Sequence, residues 1–163
     1  MGRFFSLVQI KNNGSREQFL KAFCDVMKKR SLVPCSEKES SVSYILAFSE
    51  SGKWVTLASK EYRDNPKQVK DDAKQTAAEM KTSSFSMDVV DSDWTYIELH
   101  TGADVHDTVM VGRSEFDEEH SPKGRRECWE PILAPGKTWE QISEIWNKNE
   151  VFVEDALYEA ASV

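Results

Sequence analysis

The stretch RFFSLVQIKNNGSREQFLKAFCDVMKKR, Arg3 to Arg30, decides the fold class. Phe4, Phe5, Leu7, Val8 and Ile10 form a β-rich run with little polar interruption, so Arg3 to Lys11 is predicted as a strand. Asn12-Asn13-Gly14 is a turn signal. Ser15 is a good helix N-cap, and Glu17 puts an acid in the first turn, where the helix dipole favours it. Phe19, Leu20, Phe23, Val26 and Met27 then recur at helical spacing, which makes Ser15 to Arg30 an amphipathic helix ended by Pro34. A strand that hands over to an amphipathic helix needs a sheet for that helix to cover.

The rest of the chain supplies the sheet. Val42 to Phe48 alternates, with Tyr44, Leu46 and Phe48 on one face and Ile45 and Ala47 on the other. Ser49-Glu50-Ser51-Gly52 turns the chain into a returning strand, Lys53 to Ala58. A second helix starts near Asp64-Asn65-Pro66; its stripe of Val69, Ala73, Ala77 and Met80 is thin, so it should lie close against the sheet. Three more strands are predicted: Phe85 to Val90, Trp94 to His100 and Val105 to Val111. Cys128 to Leu133 reads as a short helical turn, and Thr138 with Gln141 fits a capping box ahead of Trp139, Ile142, Ile145 and Trp146. A last helix is expected over Glu150 to Val163 through Phe152, Val153, Ala156, Leu157 and Ala160. No Gly or Pro closes it, which leaves open whether the natural chain continues beyond Val163.

The order is β-α-β-β-α-β-β-β-α-α. Its first six elements match a split βαβ, ferredoxin-like unit. A weak echo between Ser40-Ser41-Val42-Ser43 and Ser83-Ser84-Phe85-Ser86, with Trp54 and Trp94 each opening a returning strand, permits a two-part pseudo-repeat; a curved meander is the other alternative. All describe an α+β fold: a mainly antiparallel sheet, two long helices on one face, and C-terminal helices on the sheet or its edge. The chain reads as a single domain, 1–163, with an α/β core (1–111), an acidic polar loop (112–126) and a C-terminal helical segment (127–163). Phe19, Phe23, Met27, Val55, Leu57, Ile97 and Leu99 are expected in one core between the first helix and the sheet.

Composition excludes several classes. With 163 residues, 39% hydrophobic and 10% aromatic, the chain is neither disordered nor fibrous. Lys and Arg number 21 and Asp and Glu 28, giving a net charge of −7, which disfavours nucleic acid. The cationic cluster Lys28-Lys29-Arg30 suits a helix C-terminus, and Lys123-Gly124-Arg125-Arg126 is flanked by acids. Three cysteines without a C-x-x-C pair point to reduced thiols and a cytoplasmic location. No signal peptide or membrane span is read, and Met1-Gly2 with Ser6 fits a myristoylation pattern only formally, since Phe4 and Phe5 belong to a strand.

Candidate chemistry is sparse. Glu98 and His100 share a strand face, and His106 falls opposite His100 with Asp107 and Asp104 close by, a donor set for zinc or non-haem iron or for acid–base work; a solvated strand end is the plainer alternative. Asp88, Asp91 and Asp93 lack the Gly and Glu of a calcium loop. Cys128 comes after Lys123, Arg125 and Arg126, cations that lower a thiol pKa, but it sits beside Trp129 where packing is the simpler role. No phosphate-binding, dinucleotide or nucleophile-elbow motif occurs, and no cofactor is indicated. Trp54, Trp94 and Tyr96 are expected on the sheet face away from the long helices, either covered by the C-terminal helices or lining a groove. Glu115, Asp117, Glu118 and Glu119 surround Phe116, an acidic rim about one apolar anchor.

Two functions compete. The first is a non-catalytic cytoplasmic binding protein, of immunity or antitoxin type, docking a basic protein partner. The alternative is a small enzyme, or a ligand- or metal-binding domain using the 94–111 hairpin and the aromatic face. The sequence leans away from an enzyme because no catalytic motif in it is specific.

Overall fold

The computed structural model describes residues 5–36, 38–40, 42–59, 66–90, 94–102, 104–112, 123–133 and 136–147. The elements are β1 (Phe5–Lys11), α1 (Arg16–Lys29), β2 (Tyr44–Phe48), β3 (Trp54–Ser59), α2 (Pro66–Glu79), β4 (Ser83–Val90), β5 (Trp94–Thr101), β6 (Asp104–Gly112), α3 (Arg126–Trp129), a 3-10 turn (Glu130–Ile132) and α4 (Trp139–Asn147). The six strands form one sheet in the order β2-β3-β1-β4-β5-β6. The fold is α+β with a mainly antiparallel sheet. β3 lies between β1 and β2, and β4 flanks β1 on its other side, the order a split βαβ unit produces. The helix expected over Glu150 to Val163 lies outside the described residues.

Local sequence sets the elements. Ser15 and Gln18 form a reciprocal capping box: the Ser15 N–H donates to Gln18 Oε1 at 2.7 Å, and the Gln18 N–H to Ser15 Oγ at 3.2 Å. The same device starts α4, where the Thr138 N–H donates to Gln141 Oε1 at 3.0 Å. Ser31, left-handed at φ 61°, closes α1, and the Leu32 N–H reaches back to the Met27 carbonyl at 3.0 Å.

Antiparallel register then builds the core. Leu46, Leu57 and Val8 form one rung across β2, β3 and β1; Phe48, Val55 and Ile10 form the next. Side chains alternate across a strand, so both rungs point to one face. α1 brings Phe19 and Phe23 to that face, and α2 brings Val69, Ala73 and Ala77, all buried in a single cluster. Phe19 meets Phe48 edge-on at 5.5 Å, and Phe23 meets Tyr44 at 5.3 Å. Small residues on α2 bring its backbone close to the sheet, as their thin stripe predicts.

Ile97 and Leu99 correct the expected core. Both are buried, yet neither belongs to the cluster beneath α1 and α2. The reason is strand parity. His100, the neighbour of Leu99, lies in the field of Lys70 and Lys74 of α2, so Leu99 points the other way.

The contacts divide the chain into two compact units. One draws on Leu7–Ser86 and Leu99–Val105, and holds the α1/α2 core. The other draws on the described residues of Met1–Ser6, Met87–Glu98 and His106–Val163. Its interior includes Val109, Val111, Trp129, Ile142 and Trp146. Trp146 meets Trp129 at 5.0 Å and Trp139 at 5.8 Å, both edge-on. Among the described residues, no helix is long and apolar enough to cross a membrane.

Phe23 is 7% exposed and is a sensitive probe of the first core. Phe23→Ala should lower the free energy of unfolding in urea by about 3–5 kcal/mol. Lys21→Ala, on the exposed side of α1, should change it by less than about 0.5 kcal/mol.

Candidate functional site

The return of the chain to β6 is a polar site built among the described residues of its unit. β6 ends at Gly112, and the chain pairs with the same strand again through an antiparallel bridge between Lys123 and Val109. Asp107 fastens the returning segment. Its Oδ2 accepts from the Arg125 N–H at 2.7 Å and from the Trp129 indole N–H at 2.8 Å, and its Oδ1 accepts from Arg125 Nε at 3.2 Å. The Arg125 guanidinium also donates to the His106 carbonyl at 2.5 Å. Asp107 keeps only 9% of its side chain exposed, while Arg125 remains more than half exposed, so the bonds are charge-assisted with the cation still open to water.

Gly124 is required at this return. Its φ is +79°, where glycine is favoured, and a Cβ there would lie 2.7 Å from Val109 Cγ2 and 3.2 Å from the Trp129 indole nitrogen. Arg126 is held by Glu130 and Glu140, each at 2.8 Å. Hydrogen bonds to these carboxylates raise the pKa of both arginines, through Asp107 for Arg125 and Glu130 for Arg126. Both arginines of the second cationic cluster are thus engaged with acids of the same chain. So is the first cluster: Lys28 pairs with Asp25, Lys29 with Glu79, and Arg30 with Asp72.

Cys128 is the reverse of an activated thiol. Burial pushes its pKa up, and the Asp107 charge adds to that, outweighing the opposing pull of Arg125. The lowering expected from neighbouring cations is present only as the pull of Arg125, and burial with the Asp107 charge outweighs it.

The four hairpin residues occupy different environments. His100 on β5 is 1% exposed, and its pKa is lowered to about 4. Burial is the main cause, then Lys74 and Lys70; the Asp104 backbone and Asp71 oppose it. His106 on β6 is exposed. Asp107 is engaged by Arg125 and Trp129, and Glu98 is half-buried. Among the described residues, no group of three or more His, Cys, Asp or Glu is arranged to hold a metal ion.

The aromatic residues also differ. Trp54 is 8% exposed and meets Phe85 edge-on at 5.4 Å, so it packs within its own unit. Tyr96 is half-buried, and Trp94 opens β5. Glu115, Phe116, Asp117, Glu118 and Glu119, like the Trp94 side chain, lie outside the described residues.

One polar cluster is not anticipated by any motif in the sequence. The Asp72 side chain on α2 is fully buried and accepts from Arg30, from the Tyr44 hydroxyl, and from Gln68 at 3.1 Å. Burial raises the Asp72 pKa against the lowering effect of Tyr44, Arg30 and Gln68, and burial with the Asp72 hydrogen bond raises that of Tyr44. The available signal is an acid at the inward spacing of α2, between Val69 and Thr76. The cluster joins the end of α1, α2 and β2.

No protein-family model, curated protein or solved structure matches this chain.

Gly124→Ala should destabilise the protein by about 1–3 kcal/mol in urea unfolding and shift the tryptophan emission, because Trp129 and Trp146 line the position. His100 titrates below its ordinary value of 6.5 in the folded state, so the unfolded state takes up the proton first. Its contribution to stability is whole above about pH 6.5 and falls by up to about 3 kcal/mol as pH drops toward 4. Urea midpoints from pH 7 to pH 5 should fall more steeply for the native protein than for His100→Gln; equal slopes would contradict the assignment.

Proposed function

We propose that this chain is a non-catalytic binding protein of immunity or antitoxin type that docks a basic protein partner through the acidic run Glu115 to Glu119. The supporting observation is the closed stem formed by the residues that precede and follow that run in the chain. The chain departs from β6 at Gly112 and rejoins it at Lys123, where Asp107, Arg125 and Trp129 fasten the return. A recognition segment anchored at both ends loses less freedom on binding than one anchored at a single end. Glu115, Asp117, Glu118 and Glu119 put four like charges within five positions, and Phe116 is the apolar residue among them.

Charge supports a protein partner over nucleic acid. The net charge is −7, and Arg30, Arg125 and Arg126, with Lys28 and Lys29, are paired with carboxylates of the chain itself. A negative surface accelerates encounter with a positive one, and the rate falls as salt screens the attraction. A cytoplasmic location belongs to this reading.

The test compares the native chain with the triple variant Asp117→Asn, Glu118→Gln, Glu119→Gln. Both should unfold at the same urea midpoint, since this reading has the run present its charges to water, where they contribute little to stability. A basic protein retained by the native chain should associate with the variant more slowly, by about 10-fold or more at low salt, with a flatter dependence on ionic strength. Equal association rates at low salt would remove the run as the docking surface.

A further inference from the structure

Two of the three cysteines, Cys24 and Cys35, line one small cavity. We infer that Cys24 and Cys35 are a redox pair, whose disulfide fastens the α1–β2 connection against α1 and closes the cleft between them.

The cavity has a volume of about 210 Å³, and its walls include Phe23, Met27, Leu32 and Tyr44 together with both cysteines. Cys24 projects from the middle of α1 and is half-buried; Cys35 lies on the connection and is exposed. The closure of α1 sets this up. Ser31 turns left-handed, and the Leu32 N–H returns to the Met27 carbonyl, so the chain doubles back beside the helix it has just left. Beyond Leu32 the connection is weakly held to the core, with Val33 76% exposed. Forming the bond requires the connection to bring the Cys35 Cα within about 7 Å of that of Cys24.

Exposure orders the two steps. With hydrogen peroxide as oxidant, the Cys35 thiolate attacks one peroxide oxygen, the O–O bond breaks, and the departing hydroxide is protonated to water. Cys35 is then a sulfenic acid. The Cys24 thiolate attacks that sulfur, the S–O bond breaks, and a second water leaves as the S–S bond forms. Two thiols lose two electrons to one peroxide, giving one disulfide and two waters. Cys128 is a built-in control: it is buried, and burial holds its thiol protonated.

This inference does not depend on the docking reading. It is tested on the full chain, oxidised with a small excess of hydrogen peroxide, then denatured, alkylated and digested with trypsin. Lys28, Lys29 and Arg30 lie between the two cysteines, so cleavage separates them unless a disulfide joins them. The native chain should give a linked Cys24–Cys35 peptide pair, lighter by about 2 Da for two lost hydrogens, with Cys128 still alkylated. The linked protein should melt at a higher temperature, and dithiothreitol should reverse the shift. Cys35→Ser should abolish the link. Cys24→Ser should leave Cys35 as a sulfenic acid that dimedone traps. Native protein in which Cys35 oxidises without joining Cys24, or in which the link forms only between molecules, would overturn the assignment.

Discussion

The inward rungs of β1, β2 and β3 are the constraint from which the first unit is built. Val8 opposite Leu57, and Ile10 opposite Val55, place four branched side chains on one face. A slip of one residue would turn all of β1's apolar set to the other face. With that register in place, Phe19 and Phe23 have a surface to cover, and α2 can approach through Ala73 and Ala77. The polar tie among Arg30, Asp72 and Tyr44 is a consequence of the same packing. α1 and α2 lie side by side on the sheet, so the end of one helix meets an inward acid of the other. Its fully buried carboxylate is tolerated because a cation and two neutral donors satisfy it.

In the second unit one carboxylate holds the returning chain. Asp107 accepts from a backbone amide, a guanidinium and an indole, and so fixes where the chain re-enters after the acidic run. A residue suited to ligating a metal therefore serves as a clasp. The arginines of both cationic clusters, the groups a phosphate backbone would need, face acids of the same chain. That arrangement, with the net charge of −7, is why the proposed partner is a basic protein.

Local rules were legible in the sequence. The capping residues Ser15 and Thr138, the alternation of Tyr44 to Phe48, and the thin stripe of α2 all come from short-range spacing. What the sequence concealed depended on partners distant along the chain. β4 alternates Ser with Phe, Met and Val, as a strand with one wet face does, yet Ser84 and Ser86 are as buried as Phe85. A strand with neighbours on both sides of the sheet carries no periodic mark of what covers its polar face. Asp72 carries no mark of its role and Asp107 reads as a ligand, because nothing near them in sequence announces Arg30 or Arg125. His100 fell to the face of α2 by the parity of β5, and that parity also removed Leu99 from the first core.

The proposed docking function requires the segment between Gly112 and Lys123 to be the surface that meets a partner. Amide hydrogen exchange of the full chain, free and saturated with a basic protein it retains, addresses this directly. New protection is expected in peptides spanning 113–122, with the β1–β3 peptides unchanged. Protection confined to other parts of the chain, with exchange in 113–122 unaltered by the partner, would contradict it.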